Sequence, residues 1–146
     1  MKFAIFGTGG VGGYFGGRLS QAGEDVTFIA RGHHLSVIQQ TGLSVDSIRG
    51  DFEVNPVKAT DLTQSVGAVD VVILAIKGWQ LDEAILQMKP LIGDATVIVP
   101  LLNGIEHMEA LVNAFGSEHV LGGVCRISAF IAEAGRIKHV RSEERR

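Results

Sequence analysis

The segment with the clearest chemical potential lies near the start of the chain, where glycines follow a short apolar stretch: Gly7-Thr8-Gly9-Gly10-Val11-Gly12. This G-x-G-x-x-G spacing permits a tight turn at Gly7, close approach of the backbone to a pyrophosphate at Gly9, and close helix–strand packing at Gly12. The amides that open the following helix would face the phosphates. A coincidental glycine-rich turn, or a site for another nucleotide-like ligand, is the alternative. The strand–turn–helix context favours a dinucleotide.

A basic residue stands at the position where such domains select their cofactor. NAD-binding versions carry Asp or Glu about 20 residues after the glycines, where it holds the ribose hydroxyls. Here the second apolar stretch ends at Ala30 and Arg31 without a carboxylate. Arginine can bind a phosphate through two hydrogen bonds, so Arg31 predicts NADP(H), with a solvated loop arginine as the alternative. His33 and His34 are expected to be solvated or secondary cofactor contacts, and no metal site is predicted.

Two further polar side chains are expected at the carboxyl edge of the same sheet. Lys77 follows a third apolar stretch and Asn103 follows a fourth, and open α/β sheets bind ligands beyond the carboxyl ends of their strands. Lys77 offers a cation for a carboxylate or phosphate, and Asn103 offers a donor and an acceptor for a carboxamide or hydroxyl. Strand-end solvation and ordinary Asn-Gly turn chemistry are the alternatives. Trp79 is predicted to pack at the start of a helix.

The elements that must position these groups alternate between short strands and helices. Continuous apolar stretches predict strands buried on both faces, at residues 2–6, 25–30, 70–76 and 96–101. Helical spacing of apolar residues predicts helices over residues 11–22, 34–41, 81–88 and 108–115. We therefore expect one α/β domain over residues 1–146, with a Rossmann-type, doubly wound, mainly parallel sheet and helices on both faces.

Two segments depart from this alternation. Residues 43–60 and 126–140 alternate apolar and polar side chains around glycine-containing turns, which predicts half-exposed hairpin strands added to the sheet. Gly13, Gly16 and Gly17 lie inside the first predicted helix, where each costs about 1 kcal/mol relative to Ala. Either close packing of the helix on the sheet or docking of a second domain on that face would account for them.

Composition narrows the possible function classes. Apolar residues make up 46% of the 146 residues and the net charge is −3, which suits one globular domain and does not favour nucleic acid or an anionic membrane as a partner. The single Cys125 cannot form an internal disulfide, fits a reducing compartment, and is expected to be a small buried apolar residue. No apolar run approaches the roughly 20 residues of a membrane span, and the amino terminus lacks the apolar core of a signal peptide. We expect a soluble, cytoplasmic protein.

These motifs together resemble the ketopantoate reductase (2-dehydropantoate 2-reductase) family. The resemblance covers essentially the whole chain and rests on four segments: residues 2–12 with Arg31, 72–80 with a Lys-x-x-Gln element, 102–106 with Asn-Gly, and 134–139. It implies reduction of 2-dehydropantoate to pantoate with NADPH, in the route to pantothenate and coenzyme A. It also implies that Lys77 and Ala129 contact the cofactor and that Asn103 lies beside the nicotinamide and the substrate.

In that family the proton-donating lysine belongs to a helical C-terminal domain. The resemblance therefore implies that residues 1–146 form only the cofactor-binding domain, contain no catalytic residue and are inactive alone. It further implies self-association through an apolar surface beside the Gly16–Gly17 helix or the 127–137 hairpin. The alternatives are another NADP-dependent 2-keto acid or hydroxy acid dehydrogenase of the same superfamily, and a non-catalytic dinucleotide-sensing module. Lys77 and Asn103 favour the reductase, because a sensor does not need them.

Overall fold

The computed structural model describes residues 1–142, in which short strands and helices alternate. The strands are β1 (Lys2–Phe6), β2 (Asp25–Ile29), β3 (Leu43–Ser47), β4 (Phe52–Val54), β5 (Lys58–Thr60), β6 (Val71–Leu74), β7 (Val97–Pro100), β8 (Ile127–Glu133) and β9 (Arg136–Ser142). The helices are α1 (Gly10–Gln21), α2 (Gly32–Thr41), α3 (Leu81–Met88) and α4 (Glu106–Phe115). The predicted buried strands correspond to β1, β2, β6 and β7, and the predicted helices to α1–α4, with ends that differ by a few residues.

Five strands form a parallel sheet in the order β5-β2-β1-β6-β7. Its central strand is β1, in which Ile5 lies beside Phe28 of β2 on one side and Ile73 of β6 on the other. Neither Ala4 nor Ile5 exposes any surface, as expected for a strand that is covered on both faces. The chain leaves β1 towards β2 and later returns to β6 on the opposite side. The carboxyl end of β1 is therefore the switch point at which open α/β sheets bind ligands.

Helices lie on both faces of this sheet, which confirms the predicted fold class. On one face, α3 and α4 bury Met88 and Leu111 in a core that includes Leu74 of β6. On the other face, α1 contributes Tyr14 to a second core. The longest of these helices, α1, has 12 residues, and no helix in the described part of the chain is long and apolar enough to cross a bilayer.

The other four strands form a second, mixed sheet in the order β4-β3-β9-β8. Strand β3 pairs antiparallel with β4 and parallel with β9, and β9 pairs antiparallel with β8. Both predicted hairpins are therefore present, but the expectation that they extend the parallel sheet is wrong. Only β5, which follows the first hairpin, joins that sheet beside β2. Alternation shows that a strand has one buried face, but it does not show which layer covers that face.

Helix α1 lies between the two sheets, and its glycines allow close packing on both sides. A Cβ at Gly16 would lie 2.6 Å from side-chain carbons of Ile5 and Phe28 in the parallel sheet. A Cβ at Gly17 would lie 2.6 Å from the ring of Phe52 in the second sheet. Close packing therefore accounts for these glycines. The expected open apolar surface beside Gly16 and Gly17 is wrong, because the chain's own second sheet covers that side of the helix.

Candidate functional site

A cleft of about 770 Å³ opens beyond the carboxyl end of β1. Its walls are the start of α1, the residues that follow β2, β6 and β7, and part of β8. The predicted site residues that line it are Gly7, Thr8, Gly9, Gly10, Val11, Arg31, Lys77, Asn103 and Ala129. Smaller depressions of about 450 and 490 Å³ lie at the amino edge of the sheet, beside Asp25 and Lys58. The fold thus brings the glycine loop, Lys77 and Asn103 to one cavity, although they are far apart in sequence.

The glycine loop has a backbone that a residue with a side chain would strain. Gly7 has a φ of +99°, and a Cβ there would lie 2.5 Å from the Ala75 carbonyl oxygen. Gly9 lines the cleft, and no atom lies within 4 Å of the position of its Cβ. Gly12 does not line the cleft, because it faces inward, where a Cβ would overlap the Gly7 carbonyl. Gly12 therefore serves helix packing, whereas Gly9 leaves room for a ligand.

The start of α1 presents unpaired amides beside this loop. The amides of Gly7 and Thr8 donate to the Ile29 carbonyl at 3.3 and 3.2 Å, and the Thr8 hydroxyl donates to the same oxygen at 3.0 Å, which ties the loop to β2. The first intrahelical hydrogen bond of α1 is donated by Gly13, so the three preceding amides have no acceptor within the helix. The first turn contains no acidic side chain. This helix end is therefore suited to an anion.

Strand β8 of the second sheet runs directly against the glycine loop. A Cβ at Gly10 would overlap the Ala129 carbonyl group, so glycine is needed for this approach. Ala129 thereby enters the cleft wall from a different sheet. The sequence holds a signal for this contact, because the motif requires glycine only at Gly7, Gly9 and Gly12. The additional Gly10 marks the close approach of a second backbone.

Arg31 follows Ala30 in the short link between β2 and α2, where it precedes the first turn of α2 and lines the cleft. Its Nη1 donates to Oε1 of Glu83 at 3.0 Å, and the two side chains are 49% and 56% exposed. The same oxygen accepts a hydrogen bond from Nε2 of Gln87 at 2.8 Å. Glu83, which is 52 positions from Arg31 in the chain, was not among the predicted site residues. No local pattern links the two, and only the folded chain brings the start of α3 beside the end of β2.

Lys77 and Asn103 are both exposed and lie on neighbouring segments of the cleft wall. The Lys77 amide donates to Oε1 of Gln80 at 3.0 Å, and the Lys77 carbonyl accepts the Gln80 amide at 2.9 Å, which fixes the turn before α3. Within residues 1–142 the Lys77 ammonium forms no salt bridge. Its charge is therefore available to an anionic ligand.

His34 is a cleft residue whose environment differs from the expected solvated loop. It lies in the first turn of α2, and its Nδ1 accepts the Gly135 amide at 3.1 Å. The neutral ring then carries its proton on Nε2, which is buried and has no hydrogen-bond partner among the described residues. Burial lowers the pKa of His34, partly opposed by the Thr8 backbone. His34 connects α2 to the turn between β8 and β9, next to the glycine loop.

Two other predictions about the cleft wall need correction. Trp79 lines the cleft but is 84% exposed, so the prediction that it packs at a helix start is wrong. Trp79 lies in the Gly78–Gln80 turn at the entrance of the cleft, and its side chain belongs to neither apolar core. Cys125 also lines the cleft and is only partly buried. Burial raises the pKa of its thiol, partly opposed by the Ile127 backbone, so the thiol stays protonated at neutral pH.

The charge of the wall indicates the kind of ligand that fits. Among residues 1–142, the titratable side chains that line the cleft are Arg31, His34, Lys77 and Cys125. The basic side chains of Arg31 and Lys77 and a helix amino terminus, with no carboxylate in the wall itself, suit phosphate or carboxylate groups. In the same part of the chain, no cluster of three His, Cys, Asp or Glu side chains is placed to hold a metal ion.

The motif, the fold and the cleft agree with a comparison against protein families. The model of the ketopantoate reductase PanE/ApbA family matches residues 3–145. The chain belongs to this family. The expected resemblance is thereby confirmed, and the second sheet and the cleft described above are features of a ketopantoate reductase family domain.

Similar proteins match almost the whole chain. YkpB, an uncharacterised oxidoreductase of Bacillus subtilis (strain 168), is 42% identical over 145 residues, which are 99% of this chain and 47% of that protein. The crystal structure of 2-dehydropantoate 2-reductase from Geobacter metallireducens GS-15 has a TM-score of 0.93 and 34% identity, covering 97% of this chain and 47% of that chain. The ternary structure of D-mandelate dehydrogenase with NADH and anilino(oxo)acetate has a TM-score of 0.86 and 31% identity. The match covers 97% of this chain and 46% of that chain. The chain spans about half the length of the relatives it matches.

Proposed function

We propose that this chain binds NADPH and is the cofactor-binding domain, over residues 1–146, of a 2-dehydropantoate 2-reductase. That enzyme reduces 2-dehydropantoate to pantoate, in the synthesis of pantothenate and coenzyme A. The observation that carries the proposal is the convergence in one cleft of the α1 amino terminus with Arg31, Lys77 and Asn103. The similarity to the Geobacter metallireducens 2-dehydropantoate 2-reductase supports the reaction.

Each wall of the cleft has a proposed part in cofactor binding. The loop from Gly7 to Gly12 and the free amides of α1 hold the pyrophosphate, because they combine open space with positive potential. Arg31 binds the 2′-phosphate, which is the proposed basis for NADPH. Lys77 contacts the cofactor through its free ammonium, and Ala129 contacts it from β8. These residues form a continuous lining around the end of β1.

When held in this cleft, the nicotinamide would supply a hydride for reduction of the keto acid at its C2 carbonyl carbon. Asn103 is proposed to lie beside both, where its amide can donate to the substrate oxygen and orient the carbonyl. The carbonyl oxygen also requires a proton. Among residues 1–142 the cleft contains one amine, Lys77, which we assign to cofactor contact, so we propose that the proton-donating lysine lies outside this chain.

A second reaction of the same class is supported by one observation. The D-mandelate dehydrogenase structure contains NADH and anilino(oxo)acetate. A 2-keto acid other than 2-dehydropantoate is therefore the alternative substrate, with NADH as the alternative cofactor. A dinucleotide sensor without chemistry is less well supported, because Lys77 and Asn103 extend the cleft beyond the glycine loop and Arg31.

Titration of the chain with NADPH tests this proposal directly. Trp79 is the single tryptophan and lines the cleft, so binding should quench its fluorescence and transfer energy to the dihydronicotinamide. Lys77→Gln should weaken NADPH binding, whereas Lys89→Gln, a charge-matched change at an exposed lysine that does not line the cleft, should not. The titration is then repeated with saturating 2-dehydropantoate or phenylglyoxylate.

The outcomes separate the candidate functions. Tighter NADPH binding in the presence of 2-dehydropantoate alone supports the pantoate reaction. Enhancement by phenylglyoxylate alone supports the other 2-keto acid reductase. If NADPH leaves Trp79 fluorescence and calorimetric heats unchanged, the chain does not bind the cofactor and the proposal is wrong.

A further inference from the structure

The Arg31 side chain does not face the cleft alone. Its Nη1 is held by Oε1 of Glu83 at 3.0 Å, and Gln87 fixes that oxygen from the next turn of α3 at 2.8 Å. A guanidinium group has five N–H donors, and this single contact leaves the others for a ligand. The carboxylate nevertheless adds a negative charge at the group that would bind a phosphate.

A purely local explanation covers only part of this arrangement. Acidic residues in the first turn of a helix are favoured by the helix dipole, and α3 has two, Asp82 and Glu83. Asp82 satisfies that preference without forming a salt bridge in residues 1–142. Glu83 is the one that reaches across to the end of β2, so the helix dipole does not account for its contact with Arg31.

We propose that Glu83 determines how strongly the cleft prefers a dinucleotide with a 2′-phosphate to one without it. This inference rests on the proposed role of Arg31 as the 2′-phosphate ligand. Glu83 occupies one Arg31 donor and repels a phosphate that approaches the others, and a ribose with free hydroxyl groups does not meet this repulsion. The pair therefore lowers the NADPH preference that Arg31 alone would give, and the cleft accepts both NADPH and NADH.

The expected effect is moderate, because both side chains are about half exposed and solvent screens their interaction. Glu83→Gln removes the charge but retains an oxygen that can accept from Arg31 and Gln87. We expect this variant to bind NADPH about two- to fivefold more tightly and to bind NADH with nearly unchanged affinity. Asp82→Asn is the matched control, since it removes a like charge from the same turn without touching Arg31.

The experiment measures dissociation constants for NADPH and NADH by calorimetry, for the wild-type chain, Glu83→Gln and Asp82→Asn. It is repeated with Glu83→Gln in an Arg31→Ala background, and at low and high salt. An effect through Arg31 requires the change in preference to be smaller when Arg31 is absent, and direct repulsion of the phosphate requires it to shrink in high salt. A merely structural role of Glu83 would affect the melting temperature and both cofactors alike, at either salt concentration.

The result that overturns this inference differs from the one that overturns the proposed function. An NADPH-to-NADH affinity ratio that is the same in Glu83→Gln and wild type, or that changes equally in Asp82→Asn, contradicts the role of Glu83 while cofactor binding stands. Failure of the wild-type chain to bind either dinucleotide contradicts the proposed function and this inference with it.

Discussion

Arg31 and Arg136 have equally exposed side chains, at 49%, and each is paired with a carboxylate. Only Arg31 lines the cleft; Arg136 pairs with Asp46 within the second sheet. We predict that Arg31→Ala weakens NADPH binding by roughly ten- to a hundredfold, because it removes a charge-assisted contact worth about 1.5–3 kcal/mol. NADH affinity should barely change. Fluorescence titration with both cofactors measures the difference.

Arg136→Ala is the control for this prediction, since it removes an ion-paired arginine of the same exposure that does not line the cleft. It should leave both affinities unchanged. Equal losses for NADPH and NADH in Arg31→Ala would show that Arg31 does not bind the 2′-phosphate.

His139 is buried in the second sheet with both ring nitrogens engaged. Its Nδ1 lies 2.8 Å from the Ser47 hydroxyl and its Nε2 lies 3.1 Å from the Arg141 carbonyl. The ring also contacts the Tyr14 ring, with 4.2 Å between the two centroids. The carbonyl can only accept, so Nε2 carries the proton and Nδ1 accepts from the hydroxyl. Burial lowers the pKa of His139, opposed by the Arg141 backbone, and the charge of Arg49 lowers it further. The folded chain therefore favours the neutral ring.

This lowered pKa predicts that the chain loses stability in mild acid. Below about pH 6.5 the unfolded chain binds protons that folded His139 resists, so the free energy of unfolding is greatest above that pH and falls as pH decreases. Urea unfolding between about pH 5 and 7.5 measures this slope. His139→Gln should flatten the slope, though not abolish it, because burial also lowers the pKa of His34.

The exposed His33 offers a matched substitution for this experiment. His33→Gln should keep the wild-type dependence of stability on pH. A slope that is identical in wild type and His139→Gln would show that His139 does not contribute to it.

Among the elements, α1 is the one whose sequence looks least suited to its structure, since it has glycines at five of its 12 positions. Replacing a helical glycine with alanine ordinarily stabilises a helix by about 1 kcal/mol. At Gly16 the added methyl would lie 2.6 Å from both Ile5 and Phe28, which are fully buried. Overpacking of this kind costs about 1–3 kcal/mol.

We therefore predict that Gly16→Ala lowers the free energy of unfolding by about 1–2 kcal/mol, although the higher helix propensity of alanine alone would raise it. Denaturant unfolding measures the change. Gly122→Ala is the control, because no atom lies within 4 Å of its Cβ position, and it should be neutral or slightly stabilising. A gain of stability in Gly16→Ala would mean that the two sheets can move apart to admit the methyl group.

For the whole molecule, the set of side chains in the cleft leads to a prediction about activity. We expect the chain to bind NADPH weakly and to reduce 2-dehydropantoate at no useful rate, because a positioned proton donor contributes about 10²–10⁴ in rate and we find none among residues 1–142. Steady-state NADPH oxidation, measured beside a full-length family member, tests this. Turnover within about tenfold of that enzyme would place the proton donor in this chain.

The surface of the second sheet leads to a prediction about assembly. Phe130 of β8 is 47% exposed and Val140 of β9 is 41% exposed, and the pairing of Phe130 with Lys138 places both on one face of the sheet. Exposed apolar side chains on adjacent strands favour association, so sedimentation equilibrium should detect self-association of the chain. Phe130→Ser should weaken it, whereas Leu86→Ser, at an exposed leucine of α3, should not. A chain that stays monomeric at high concentration would contradict this prediction.

Local patterns in the sequence determined the elements and several of the residues that line the cleft. Continuous apolar stretches indicated β1, β2, β6 and β7, because strands that are covered on both faces have no polar side. The glycine loop could be recognised because its function depends on consecutive backbone positions. Arg31, Lys77 and Asn103 could be found because the carboxyl ends of parallel strands meet at one edge of a sheet.

Only the tertiary structure decided which layers and charges meet. Nothing in the alternation of β3 or β9 says that they pair with each other in a second sheet against α1, since a strand's pattern is the same whichever layer covers it. The contact of Glu83 with Arg31 and that of His34 with Gly135 likewise join positions distant in sequence. Such contacts depend on how α2 and α3 pack against the sheets, and packing is a property of the whole core.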